Sequence, residues 1–134
     1  MDILAACFAD RYKDNVVWYL SQSWPEGQLT VCDGDRTIGY LGSMRSEGSS
    51  TILILAVHPL YRRRGAGTML IDAFMDISYR GGCGSISLNM DADDSGAMVF
   101  YIGNGFMPTV IINDYYGIGR DAVRMAASAE RNDG

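Results

Sequence analysis

Histidine is nearly absent: His58 stands alone in 134 residues. The three cysteines, Cys7, Cys32 and Cys83, are an odd number with no C-x-x-C spacing. That leaves little material for a metal centre or a disulfide framework, and no metal is expected. Small buried thiols in a reducing compartment are the plainer reading. Basic residues are outnumbered, 11 against 16, for a net charge of -5. This balance argues against a nucleic-acid partner and leaves room for a cationic substrate, or for a basic site in an acidic body. No apolar run approaches the roughly 20 residues of a membrane span. The start, "MDILAACFADRYK", has an acidic second residue where a signal peptide would be basic. A cytoplasmic protein is expected, monomer or homodimer, with residues 1–134 as a single domain.

What is present is an alternation of strand and helix patterns. Residues 2–8 and 12–22 have helical spacing, and "SWPEGQ" breaks it. "QLTVCDG" and "TIGYLGSMR" flank the turn "DGDR" and read as a hairpin. "TILILAV" is a third strand whose continuous apolar run implies burial on both faces. Residues 65–79 form the clearest helix, with Met69, Leu70, Ala73, Phe74 and Ile77 expected on its inner face. "SISLNM" is a strand, "DADDSGAMVFYIGNG" holds a short helix opened by capping residues, and "FMPTVII" and "RDAVRMAA" are the last strands. The tail from residue 128 is expected to fray. The order favours one α/β sheet with helices on both faces.

Between the third strand and the long helix lies "VHPLYRRRGAG". The first N–H groups of a helix have no internal partner and carry partial positive charge. Glycine at Gly65 and Gly67 lets an anion approach that backbone, and Arg62, Arg63 and Arg64 add charge beside it. A diphosphate suits such a turn. A Walker A loop would need lysine after the second glycine, where Thr68 stands, and a dinucleotide fingerprint would need a third glycine. A nucleotide triphosphatase is therefore disfavoured. The bland alternative is a glycine pair with solvated arginines.

"VHPLYRRRGAGTMLI" resembles the acetyl-CoA-binding motif of the GNAT superfamily of N-acetyltransferases, Gln/Arg-x-x-Gly-x-Gly/Ala after a V-x-P turn. Arg62, Gly65 and Gly67 fill its fixed positions. The resemblance implies the GNAT fold, an α/β (α+β) domain with one mixed, mostly antiparallel central sheet and helices on both faces. It implies acetyl-CoA as cosubstrate. The loop residues Arg62, Arg63, Arg64, Gly65, Ala66, Gly67 and Thr68 would hold the diphosphate, and Leu55, Ala56 and Val57 would offer main-chain groups to the pantetheine arm and acetyl carbonyl.

A second stretch, "DSGAMVFYIGNGF", resembles the superfamily's N-x-x-A-x-x-L-Y-x-x-x-G-F, with Ala97, Phe100, Tyr101, Gly105 and Phe106 in the matching places. The resemblance makes Tyr101 the candidate acid that protonates the departing thiolate. Asp94 stands where the family has an asparagine touching coenzyme A. In the ribosomal-protein alanine N-acetyltransferase branch a glutamate in an L-E-V-R strand serves as base. Here "LNMD" puts Asn89 at that position, able to orient a water or hold an amine but not to take a proton. Asp91, Asp93 or a chain of waters are the substitutes, against the plain reading of "DADD" as a solvated helix start.

The ending "DYYGIGRDAVRMA" is similar to that of protein N-terminal acetyltransferases, where a tyrosine pair lines the mouth for a peptide N-terminus. By that resemblance Tyr115 and Tyr116 are substrate contacts; otherwise they are aromatic packing in a last hairpin. The resemblance points to an N-acetyltransferase acting on a primary amine by direct attack in a ternary complex. The acceptor is a protein N-terminus or a small molecule such as a polyamine, amino acid or antibiotic. A coenzyme A sensor without turnover is the alternative from another class, supported by Asn89.

Overall fold

The computed structural model describes residues 14–129. The helix expected at 2–8 and most of the tail beyond 128 lie outside the described residues. Helix α1 spans Asp14–Ser23, close to its expected bounds. A hairpin follows, β1 (Leu29–Asp33) and β2 (Arg36–Ser46), and then β3 (Ser49–Val57). Helix α2 (Ala66–Arg80), β4 (Ser85–Asp91), helix α3 (Ser95–Gly103), β5 (Met107–Ile112) and β6 (Ala122–Ser128) complete the chain. The six strands form one sheet in the order β1-β2-β3-β4-β6-β5. All neighbours are antiparallel except β3 and β4, which the crossover through α2 makes parallel.

Helices cover both faces. Along β2, side chains alternate between faces, and Gly39 and Gly42 lie on opposite ones. Leu70 of α2 sits over Gly39, and Leu20 of α1 over Gly42. The core under α2 joins Leu70, Ile71 and Phe74 to Leu41, Ile86, Leu88, Phe106 and Met125.

The inner face of α2 differs from expectation. Ala66, Leu70, Ile71, Phe74 and Ser78 are buried, whereas Met69 is 60% exposed. Ala73 is also exposed. Apolar spacing alone missed Ser78, because its hydroxyl is satisfied in the interior by the buried Ser50, Oγ to Oγ 2.9 Å. With Ser78 included, the buried stripe turns towards Ile71 and away from Met69 and Ala73.

Strand β3 also departs from expectation, and this departure makes the site. Its buried residues include Ile52, Ile54 and Ala56, but Leu53 is 44% exposed. On one side Gly42 pairs with Ile54 and Ser43 with Ile52, so Leu53 is an extra residue, a β-bulge. On the other side the ladder to β4 runs only from Ser49↔Ser85 to Thr51↔Ser87. Beyond Thr51 the two parallel strands part, and the sheet opens.

Candidate active site

The opening between β3 and β4 is roofed by the start of α2 on one side and by α3 on the other. It holds a cavity of about 690 Å³. Leu55, Ala56, Val57, Arg62, Arg63, Gly65, Ala66, Gly67, Thr68, Asp94 and Tyr101 all line it. Of the expected cofactor contacts only Arg64 is outside the lining; its guanidinium lies 5.7 Å above the ring of Tyr61.

The turn into α2 is shaped residue by residue. Pro59 starts a single helical turn, Pro59–Tyr61, and His58 Nδ1 caps it by accepting the Leu60 N–H at 3.2 Å. His58 is thus structural. Arg62 Nε donates to the Val57 carbonyl at 3.3 Å, tying the turn to the end of β3. Arg63 takes a left-handed backbone, φ 65°, and Gly65 does so at φ 83°. No side chain caps α2 and no acidic residue sits in its first turn. The N–H groups of Ala66, Gly67 and Thr68 therefore enter the lining with no i−4 partner. A Cβ on Gly65 would meet nothing within 4 Å, so open space adjoins this backbone. Unpaired donors, two arginines and an open cradle fit a diphosphate.

Gly67 has a packing part besides the one its motif position implies. A Cβ there would come within 2.9 Å of Phe100 Cζ, so the glycine brings α2 against α3. Gly67→Ala is expected to tilt Phe100 into the cleft. Thermal unfolding should show a loss of about 1 kcal/mol, or roughly 4 °C in Tm, for this mild overpacking.

Helix α3 is capped by Asp94, whose Oδ1 accepts the Ala97 N–H at 3.0 Å. Its Tyr101 is wedged edge-on between Phe100, at 5.3 Å between ring centres, and Phe106, at 5.8 Å. Asp94, Ala97 and Tyr101 also line a second cavity of about 680 Å³, with Met90, Asp91, Asp93, Tyr116 and Arg120. The two cavities meet at Tyr101.

Asp91 is committed within that second cavity. The Asp93 N–H, at 2.9 Å, and then Arg120, at 2.7 Å, hold its carboxyl below the usual carboxylate range. A lowered value means that the ion pair is present at neutral pH and is lost only as acid carries the solution below that range. Asn89 lines neither cavity: its Oδ1 accepts from Arg124 Nε at 3.2 Å across the β4–β6 ladder. Tyr116 lines the second cavity, and Tyr115 packs edge-on against it, 4.9 Å between centres, outside the lining. Cys83 is buried away from both cavities, and burial pushes its thiol up, the opposite of an activated nucleophile. Residues that sequence reasoning did not single out for the site are Tyr61, Met90, Gly96 and Arg120; no local pattern marks them.

The family model for acetyltransferase (GNAT) matches residues 1–106. The chain belongs to that family. It is 31% identical over 121 residues to N-alpha-acetyltransferase 30 of Schizosaccharomyces pombe, an alignment covering 87% of this chain and 81% of that protein. It spans only 36% of the Homo sapiens protein of the same name, at 25% identity over 132 residues. The crystal structure of Ard1 from Thermoplasma volcanium superposes with a TM-score of 0.85 at 26% identity, covering 92% of this chain and 84% of that one. A NatC complex bound to Gag peptide and CoA gives 0.83 at 24% identity, covering 96% of this chain and 87% of that one. This GNAT protein is an acetyl-CoA-dependent N-acetyltransferase, and its sheet, open between β3 and β4, is the family's fold. No helix among the described residues is long and apolar enough to cross a membrane.

Proposed function

We propose that this acetyltransferase modifies the free N-terminal amine of a protein or peptide, with residues 1–134 acting as one domain. The observation that carries the reading is the meeting of two cavities at Tyr101, one suited to a diphosphate-bearing thioester and one opening beside the tyrosine pair. The names of its relatives, N-alpha-acetyltransferase 30 among them, support the same acceptor.

Acetyl-CoA supplies the activated acyl group. The N–H groups of Ala66, Gly67 and Thr68, with Arg62 and Arg63, bind its diphosphate. Main chain of Leu55, Ala56 and Val57, in the cavity wall beyond the point where β4 leaves β3, orients the pantetheine arm. Binding of both partners in fixed geometry supplies most of the rate. The Tyr101 hydroxyl gives its proton to the departing sulfur. The amine enters through the second cavity past Tyr116, and its proton leaves by water there. Asn89, bonded to Arg124, takes no part in this scheme.

The test is thiol release from acetyl-CoA with three acceptor sets: peptides with free N-termini, the same peptides N-blocked, and small amines such as spermidine. Release with the first set alone is the expected result. Release with small amines alone would move the acceptor to that class. Binding of acetyl-CoA without release in any arm would make the chain a sensor.

A further inference from the structure

The second cavity is walled by two loops that are distant in sequence. One joins β4 to α3 and carries Asp93 and Asp94. The other joins β5 to β6 and carries Tyr115, Tyr116 and Arg120. Asp91 holds both: Oδ1 accepts the Asp93 N–H at 2.9 Å, and Oδ2 accepts from Arg120 Nη2 at 2.7 Å. The Arg120 guanidinium also lies 5.7 Å above the Tyr116 ring. Nearby, the Ala92 N–H donates to the Asp121 carbonyl at 2.9 Å, a second tie between the same loops.

The β5–β6 loop is stiff within itself. Tyr116 N–H donates to the Arg120 carbonyl at 3.0 Å, Arg120 N–H to Gly117 at 2.9 Å, and Gly119 N–H to the Asp114 carboxylate at 2.8 Å. A stiff loop moves as a body, so the point where Arg120 is anchored fixes where Tyr116 stands. The pair is too exposed, 62% and 26% for its two side chains, to contribute much to global stability. Its geometry fixes position instead.

We propose that Asp91 and Arg120 form a positioning clamp that sets Tyr116 against the acceptor and thereby selects which acceptors react. The inference rests on the N-terminal acetylation reading above. Neither residue is assigned contact with the thioester; both act through the placement of Tyr116.

The experiment is a double-mutant cycle on Arg120→Ala and Asp91→Asn, with Arg120→Lys as the conservative variant. The probes are acetyl-CoA and a panel of free-N-terminal peptides differing in their first two residues. Asn at 91 still offers an oxygen to the Asp93 N–H but loses the ion pair. Each single variant is expected to lose on the order of tenfold in kcat/KM for the best peptide, mostly through KM, with acetyl-CoA affinity unchanged. The double variant should be no worse than either single, Arg120→Lys should recover most of the loss, and preference across the panel should flatten. Exchange of the Ala92 amide, which donates to the Asp121 carbonyl across the two loops, should quicken in Arg120→Ala. Unchanged peptide kinetics, additive losses, or an equal loss of acetyl-CoA affinity would overturn the clamp. A wild-type chain that acetylates no peptide at all would instead sink the N-terminal reading, and the clamp's selective role with it.

Discussion

Gly65→Val is expected to weaken acetyl-CoA binding by about a hundredfold while the protein stays folded. Gly65 caps α2 with φ 83°, a backbone that a β-branched residue adopts only under strain. That strain is about 1–2 kcal/mol, which the chain relieves by rotating the peptide units that open the helix. The groups that rotate are the donors meant for the diphosphate. Losing two charge-assisted hydrogen bonds costs about 3 kcal/mol, or a factor of roughly a hundred in dissociation constant. The new side chain also enters the open space beside the turn, since nothing lies within 4 Å of a Cβ there. No core packing is disturbed: Leu70, Ile71 and Phe74 lie further along α2. Calorimetric titration with acetyl-CoA, alongside thermal unfolding, reads both halves of the expectation. An affinity within about twofold of wild type would mean that the phosphates lie elsewhere.

This turn was the most legible part of the chain. A buried strand, a V-x-P corner, three arginines and two glycines are contiguous, and Val57, Arg62, Arg63 and the run Gly65, Ala66, Gly67 and Thr68 do form one wall of a cavity. The roles within the wall were less legible. Gly65 and Gly67 look alike in the motif, yet one has a left-handed backbone beside open space and the other makes room for Phe100, thirty-three positions away. Arg64 looks like its neighbours but spends its charge on the Tyr61 ring. Such differences depend on contacts between elements, and no local pattern encodes them.

The acceptor side was harder still. Asp91 and Arg120 are 29 residues apart, and only the β4–β6–β5 pairing brings their loops together. A run such as "DADD" gives no hint that its first carboxylate is committed to two loops while its last caps α3. The single mixed, mostly antiparallel sheet under helices was read correctly, but the parting of β3 from β4 was not. The run "TILILAV" has the composition of a fully covered strand, and Leu53 is exposed because a bulge and a departing neighbour leave it uncovered.

Tyr101→Phe is expected to lower kcat by about a hundredfold and to leave acetyl-CoA affinity unchanged. The ring is held by Phe100 and Phe106 whichever atom sits at its tip, so phenylalanine at 101 should keep the packing of α3. What is removed is the hydroxyl of a ring that lines both cavities. A positioned proton donor to a leaving group contributes on the order of 10²–10⁴ in rate, and water in the cleft replaces part of that. The contribution arises as charge develops on sulfur, which places the loss in kcat and not in ground-state binding. Single-turnover rates of thiol release with saturating peptide, compared with calorimetric affinity for acetyl-CoA, separate the two. A kcat within about twofold of wild type would remove Tyr101 from the chemistry, and an equal fall in both quantities would make its hydroxyl a ligand of the cosubstrate.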